Sequence, residues 1–310
     1  MTAGPQTTTD DARRWAKRLG HVGAWSFDVE RLSANDARAF ARELESLGIP
    51  VLWIPESLGS KEVFAHASLL LAATERLIIA TGIANIWARD PVAMANGQRA
   101  LVDAYPDRFL LGLGVSHGPT IPLRGGGLEY ERPLERMRTY LDAMDKAPYT
   151  GRPAATPRVL AALGPRMLKL AAERALGAHP YFVPVEHTTE ARRELGSAPL
   201  LAVEQAVVLS SDPTTARETA RRHMKRYLEL PNYANNLLRL GWPKSDLANG
   251  GSDALVDAIV AWGDASIITK RIEDHLARGA DHVCLQTIRV DIKANTALEW
   301  RTLAPAARAI

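Results

Sequence analysis

The chain has 310 residues, 46% of them apolar and 24% charged, with a formal charge of +3; this supplies a large core, and with no Lys/Arg run it excludes a nucleic-acid partner. A single cysteine, Cys284 in the apolar run DHVCLQTI, excludes an internal disulfide framework and reads as a small buried hydrophobe. No segment reaches the ~20 apolar residues of a membrane span and the N-terminus lacks a signal-like apolar stretch, so a cytoplasmic protein without a membrane partner is expected.

Residues 1–8 read as a loose tail and 9–19 as a short helix capped by Thr9 or Asp10, so residues 1–20 precede a single domain over 21–310. Eight short apolar runs then alternate with helical segments: 22–27, 51–55, 77–83, 109–115, 158–163, 178–183, 201–209 and 281–288. Helices are announced by caps. Asn35 or Asp36 opens one that stops at Gly48, while Asp90 with Pro91 and Asp212 with Pro213 place proline at the first helical position. Further helical stretches are 62–73, 132–145, 166–175, 253–262 and 269–278. Eight strands, each followed by a helix, predict an α/β fold of the (β/α)8 TIM barrel type. Two insertions interrupt the rhythm: 116–131 after the fourth strand, with Gly125, Gly126 and Gly127, and 229–252 after the seventh. Long connections of this kind are commonly functional, and the first reads as a mobile lid.

Barrel chemistry sits where strands end. The fourth run, FLLGLGVSHGP (109–119), ends in Ser116 and His117, and its Gly112 and Gly114 are expected to keep the barrel mouth open for a ring. No cluster of His and carboxylates suits a metal, and no strand carries the lysine of a Schiff-base enzyme. An aromatic, glycine-rich mouth with one carboxylate and one imidazole suits a large flat cofactor that carries the chemistry itself. Gly164, Pro165, Arg166 and Met167 open a helix in a way that fits a phosphate, with close approach at the glycine and backbone N–H groups at Arg166 and Met167.

Residues 75–119 and the stretch RVLAALGPRMLKLAAERALGAHPYFV (158–183) resemble the bacterial luciferase-like flavin and deazaflavin oxidoreductases. LPNYANNLLRLGW (230–242) and GGSDALVDAIVAWGD (250–264) look like an actinobacterial branch assigned to coenzyme F-420, an 8-hydroxy-5-deazaflavin. The resemblance implies hydride transfer between F-420 and a small organic substrate. An FMN-dependent monooxygenase is the alternative, and a non-catalytic cofactor-binding barrel is the rival of another class. It also implies a homodimer.

Carried over by position, Thr81, Gly82 and Ile83 match a strand bulge with a non-proline cis peptide against the central ring. Gly164 to Met167 match the phosphate seat, His179, Pro180 and Tyr181 its neighbouring wall, and Trp25 a place beside ring and substrate. The proton-handling groups implied are Glu56 and His117. Ser57 falls where the family carries a histidine, and His117 where it carries a glutamate. Arg89 and Asp90 read as a salt-bridged helix cap.

Overall fold

Short runs of Val, Ile, Leu and Trp, buried on both faces, form parallel strands, because a strand covered on both sides by packed elements cannot alternate apolar with polar. In the computed structural model, which describes residues 9–152, 155–291, 293 and 297–310, there are ten. They are β1 (Val22–Trp25), β2 (Val51–Ile54), β3 (Ile78–Thr81), β4 (Ala84–Asn85), β5 (Phe109–Gly114), β6 (Arg158–Leu160), β7 (Gly177–Ala178), β8 (Leu200–Leu209), β9 (Val260–Gly263) and β10 (His282–Thr287). The order β10-β1-β2-β3-β5-β6-β7-β8, closed by the β8–β10 pairing, is an eight-stranded parallel barrel. All eight expected strands are present. The loose tail expected over 1–8 lies outside the described residues.

The two further strands adjust the barrel mouth. β4 resumes the third strand after a break and pairs with Leu113 and Gly114 of β5. β9 falls where the sequence reading continued a helix to 262. The helix Asp253–Ile259 does start as expected, with the Ser252 hydroxyl accepting from Leu255 N–H, but Val260–Gly263 then leaves it to pair with Ala206–Leu209. A β-branched and aromatic run facing a free strand edge is better used in the sheet than in one more turn of helix.

Inside the barrel, Trp25, Val51, Trp53, Ile78, Ala80, Leu110, Val159, Leu200, Ala202 and Cys284 form one cluster. The helix Thr9–Leu19 joins it through Ala12, Trp15 and Leu19. A second cluster lies between the strands and their surrounding helices. A third gathers at the mouth, where helices Pro213–Leu228 and Pro231–Arg239 pack on Phe182, Ala206, Val208 and Val260.

Several local readings change. The helix Ala34–Ser46 is capped by Ser33, whose hydroxyl accepts from Asp36 N–H at 3.2 Å, rather than by Asn35 or Asp36. The segment 229–252 is mostly helical, in Pro231–Arg239 and the 3-10 turns of Lys244–Gly250. Tyr233 and Leu237, four apart, give that first helix its buried stripe, and flanking proline and asparagines masked the period. Val185–Leu195 and Ala297–Ala307 are further helices. Among the described residues no helix is long and apolar enough to cross a membrane.

Candidate active site

The third strand breaks at Gly82–Ile83, which are joined by a cis peptide bond. Here Thr81 replaces the ladder: its hydroxyl donates to Gly112 O at 2.7 Å and accepts from Gly112 N–H at 2.8 Å. The Ile83 side chain then lies over Gly112 and Gly114. A Cβ on Gly114 would sit 2.4 Å from Ile83 Cγ1, and one on Gly112 only 2.0 Å from the Thr81 carbonyl oxygen. The β5 glycines therefore seat this bulge, where the sequence reading had them holding space for a ring. Gly82 and Ile83 remain half-exposed at the mouth.

The layer beneath them is closed. Trp25, Thr81 and His179 are each at most 1% exposed, and Pro180 is buried as well. These four were expected to touch a cofactor; in the structure they support the surface from below. Trp25 Nε1 and His179 Nε2 both point under Gly82, where a Cβ would meet them at 2.4 and 3.0 Å. The His179 ring stacks on Trp53 at 4.3 Å and its Nδ1–H donates to Ala202 O at 2.9 Å. Burial holds it neutral, with its pKa pushed down to about 4.

The accessible wall is aromatic and polar. Tyr181, half-exposed, lies 5.2 Å from Trp25 and 5.3 Å from Tyr227, ring to ring. Its hydroxyl donates to Gln286 Oε1 at 2.9 Å and lies 2.8 Å from the Tyr227 hydroxyl. Tyr233 links this group to His117, whose ring is 5.3 Å away. Arg226 stands at the rim over Phe27 and Tyr227. His117 Nδ1 is 3.3 Å from Asn232 Oδ1. With that oxygen as acceptor, Nδ1 carries the proton and Nε2 keeps a lone pair. Burial, helped by the Arg226 charge and opposed by the Asn232 bond, lowers the His117 pKa, so the imidazole is a neutral base.

Glu56 does not join His117. Its carboxylate pairs with Arg89 and accepts Asn85 N–H at 2.7 Å, clamping β4 to the end of β2. The Arg89 expectation holds, and Asp90 caps its helix through Val92 and Ala93 N–H. A carboxylate so tied to a guanidinium serves the backbone and not proton transfer.

At the helix Pro165–Arg174, Gly164 opens onto free space and Arg166 is exposed. Met167 N–H, expected to be free, turns back to Gly164 O at 3.1 Å, which leaves fewer donors than the sequence implied. The turn itself is anchored at Leu163 O by His187 Nε2 at 2.8 Å and Arg239 at 3.3 Å. The expected lid is pinned at one end: Ile121 is buried and the Thr120 hydroxyl donates to His117 O at 2.8 Å.

Sequence reasoning missed Glu204, Tyr227, Asn232, Tyr233 and Gln286. Glu204 and Gln286 left a trace as polar residues inside apolar strand runs, LAVEQAVVL and DHVCLQTI. Among the described residues no group of three or more His, Cys, Asp or Glu is arranged to hold a metal ion.

Comparison with known proteins agrees with this architecture. A 5,10-methylenetetrahydromethanopterin reductase of Archaeoglobus fulgidus is 24% identical over 152 residues, 43% of this chain and 45% of that protein, so the match spans less than half of the relative's length. An F-420-dependent secondary alcohol dehydrogenase, solved with an F-420–acetone adduct, superposes with a TM-score of 0.74 at 17% identity, covering 93% of this chain and 99% of the other. The oxygenating constituent of 3,6-diketocamphane monooxygenase from Pseudomonas putida, solved with FMN, gives 0.67 at 16% identity over 93% and 97% of the two chains. The luciferase-like monooxygenase profile matches residues 18–282, most of the chain, which therefore belongs to that family.

Proposed function

We propose that the protein is an oxidoreductase that moves a hydride between coenzyme F-420 and a small organic substrate. The observation that carries this reading is the half-exposed Gly82–Ile83 corner, set in one mouth with an uncommitted imidazole nitrogen. F-420, when bound, supplies the hydride-exchanging ring. The residues present fit it: Gly82 and Ile83 offer a flat backbone face, Tyr181 a wall, and Gly164 with Arg166 an open, cationic seat for the phosphate. Proline at 165 and the occupied Met167 N–H leave that seat to the glycine's space and the Arg166 side chain.

His117 Nε2 then accepts the proton of a substrate hydroxyl as its carbon gives up hydride, and returns it in the reverse direction. Asn232 fixes the tautomer that makes this possible. A homodimer, no membrane and no nucleic acid complete the proposal.

FMN is the second reading, favoured by the FMN-bound structural neighbour. Titration with each coenzyme separates the two. Micromolar F-420 binding, seen as a change in its fluorescence, is expected; FMN binding without F-420 binding overturns the choice. Substrate-dependent bleaching of F-420 excludes a non-catalytic carrier. The substitution His117→Ala is expected to lower kcat at least about tenfold while F-420 affinity stays within a few-fold. Equal loss of both would assign His117 to binding.

A further inference from the structure

Glu204 lies on the inward alternation of β8, two residues beyond Ala202, and is 2% exposed. Its Oε2 accepts from Phe182 N–H at 3.0 Å, whereas Oε1 has no hydrogen-bond partner among the described residues. The groups that face it are phenols and a thiol: Tyr181 after β7, Tyr227 on the helix Pro213–Leu228, Tyr233 on the helix Pro231–Arg239, and its register partner Cys284 on β10. Burial pushes all four upward, Tyr227 to about 12, so none is an anion near neutral pH. His179 and His223, also packed around this corner, are held neutral by burial, at about 4 and about 3. The Arg226 guanidinium stands farther out, over Phe27 and Tyr227.

A carboxylate withdrawn from water with one N–H donor and no adjacent cation loses more solvation than it regains. The pocket therefore holds the neutral acid. Its acceptor is needed all the same, because Phe182 takes a φ of 57°, in the left-handed region that bulky residues avoid. The bond from its N–H holds that turn, and Tyr181 of the site wall is the preceding residue.

We propose that Glu204 is a positioning residue that works as a neutral carboxylic acid, pinning the Tyr181–Phe182 corner at the barrel mouth. Ionisation of Glu204 would keep the Phe182 N–H bond but leave an anion among phenols with one donor, and the water that anion draws into the pocket releases the Tyr181–Tyr227–Gln286 wall. Burial lifts the carboxyl to about 8, so the release falls just above neutral pH. Because the folded value lies above the ordinary 4.5, the acid's contribution to stability is complete below that pH and is lost as pH rises through about 8. The effect on coenzyme binding rests on the F-420 reading; the ionisation does not.

Glu204→Gln keeps a carbonyl for Phe182 N–H and cannot ionise, so melting of both proteins between pH 5 and 9 is the first test. The variant is expected to gain at least ~4 °C on the parent across that range. At pH 7 the parent, and not the variant, is expected to show the infrared carbonyl band of a buried carboxylic acid. F-420 affinity of the parent is expected to weaken about tenfold from pH 7 to 9 and that of the variant less than about threefold. Parallel melting curves overturn the neutral acid, and equal loss of affinity in both proteins overturns the release of the wall. A variant that folds normally but loses more than about tenfold in kcat at pH 7 would instead make Glu204 a catalytic group and overturn its positioning role. If F-420 binds neither protein, the function proposal fails while the melting and infrared results still judge Glu204.

Discussion

Gly112→Ala is expected to dismantle the site from a position that touches no substrate. The new Cβ would lie 2.0 Å from the Thr81 carbonyl oxygen, which is backbone and cannot swing away. Relief requires β3 and β5 to part where the Thr81 hydroxyl holds both the N–H and the C=O of Gly112. Such overpacking costs roughly 3 kcal/mol or more, a fall in Tm of about 6 °C or more in a chain of this size. F-420 binding is expected to drop more than about tenfold, because the Gly82–Ile83 corner moves with Thr81. Gly114→Ala is the informative contrast. Its Cβ would meet chiefly the Ile83 side chain, at 2.4 and 2.5 Å, with Ala161 Cβ next at 3.3 Å, so the double substitution with Ile83→Ala is expected to restore most of the lost stability. Rescue of Gly112→Ala by the same Ile83 truncation would show that the Thr81 carbonyl is not the obstacle.

The fold is also expected to fail in mild acid, through buried histidines to which no catalytic role is assigned. His179, His187, His275 and His282 are all at most 1% exposed, and burial pushes them down to between about 3 and about 4. Each uses one N–H as donor and keeps its other nitrogen unprotonated. His282 Nδ1–H donates to Gly20 O at 2.7 Å while Nε2 accepts from Trp53 Nε1–H at 3.2 Å, and a second proton would set two donors face to face. His275 Nε2–H donates to Gln205 Oε1 at 2.9 Å, with its Nδ1 at 2.7 Å from the Thr188 hydroxyl. His187 Nδ1 has no partner among the described residues.

These folded values lie below the ordinary 6.5, so the unfolded chain binds more protons below that pH. Stability is full above about pH 6.5 and is lost as pH falls toward 4. At pH 5 each such histidine removes about 2 kcal/mol, and four together about 8, on the order of a domain's whole stability. Circular dichroism from pH 7 to 4 is expected to show cooperative unfolding near pH 5. A flat signal to pH 4 would mean that the buried rings accept protons in place.

Much of this was legible in the residues. Eight buried runs separated by capped helices fit a parallel barrel better than an open sheet, and Asp90 and Asp212 cap helices by local rules that need no distant contact. The weaker readings depended on partners remote in sequence. Glu56 looks like an available acid beside Ser57 until Arg89 is placed against it. Trp25 and His179 look like cofactor contacts until the barrel closes above them. The helix Pro231–Arg239 carries only a two-residue apolar stripe, too little to outweigh its proline and asparagines.

What the sequence by itself determined is the barrel, the break at Gly82–Ile83, the glycine that opens the helix at Pro165, and a histidine at the end of the fourth long strand. The barrel, the helix opening and the strand end follow from hydrophobic period and capping, which act within a few residues, whereas the break at Gly82–Ile83 was legible only through the family resemblance. Only the tertiary structure decided which side chains have surface at the mouth, that Asn232 sets the proton on His117, and that Glu204 shares a pocket with three phenols. Burial and electrostatic environment belong to groups brought together by closure of the barrel, and no local pattern encodes them.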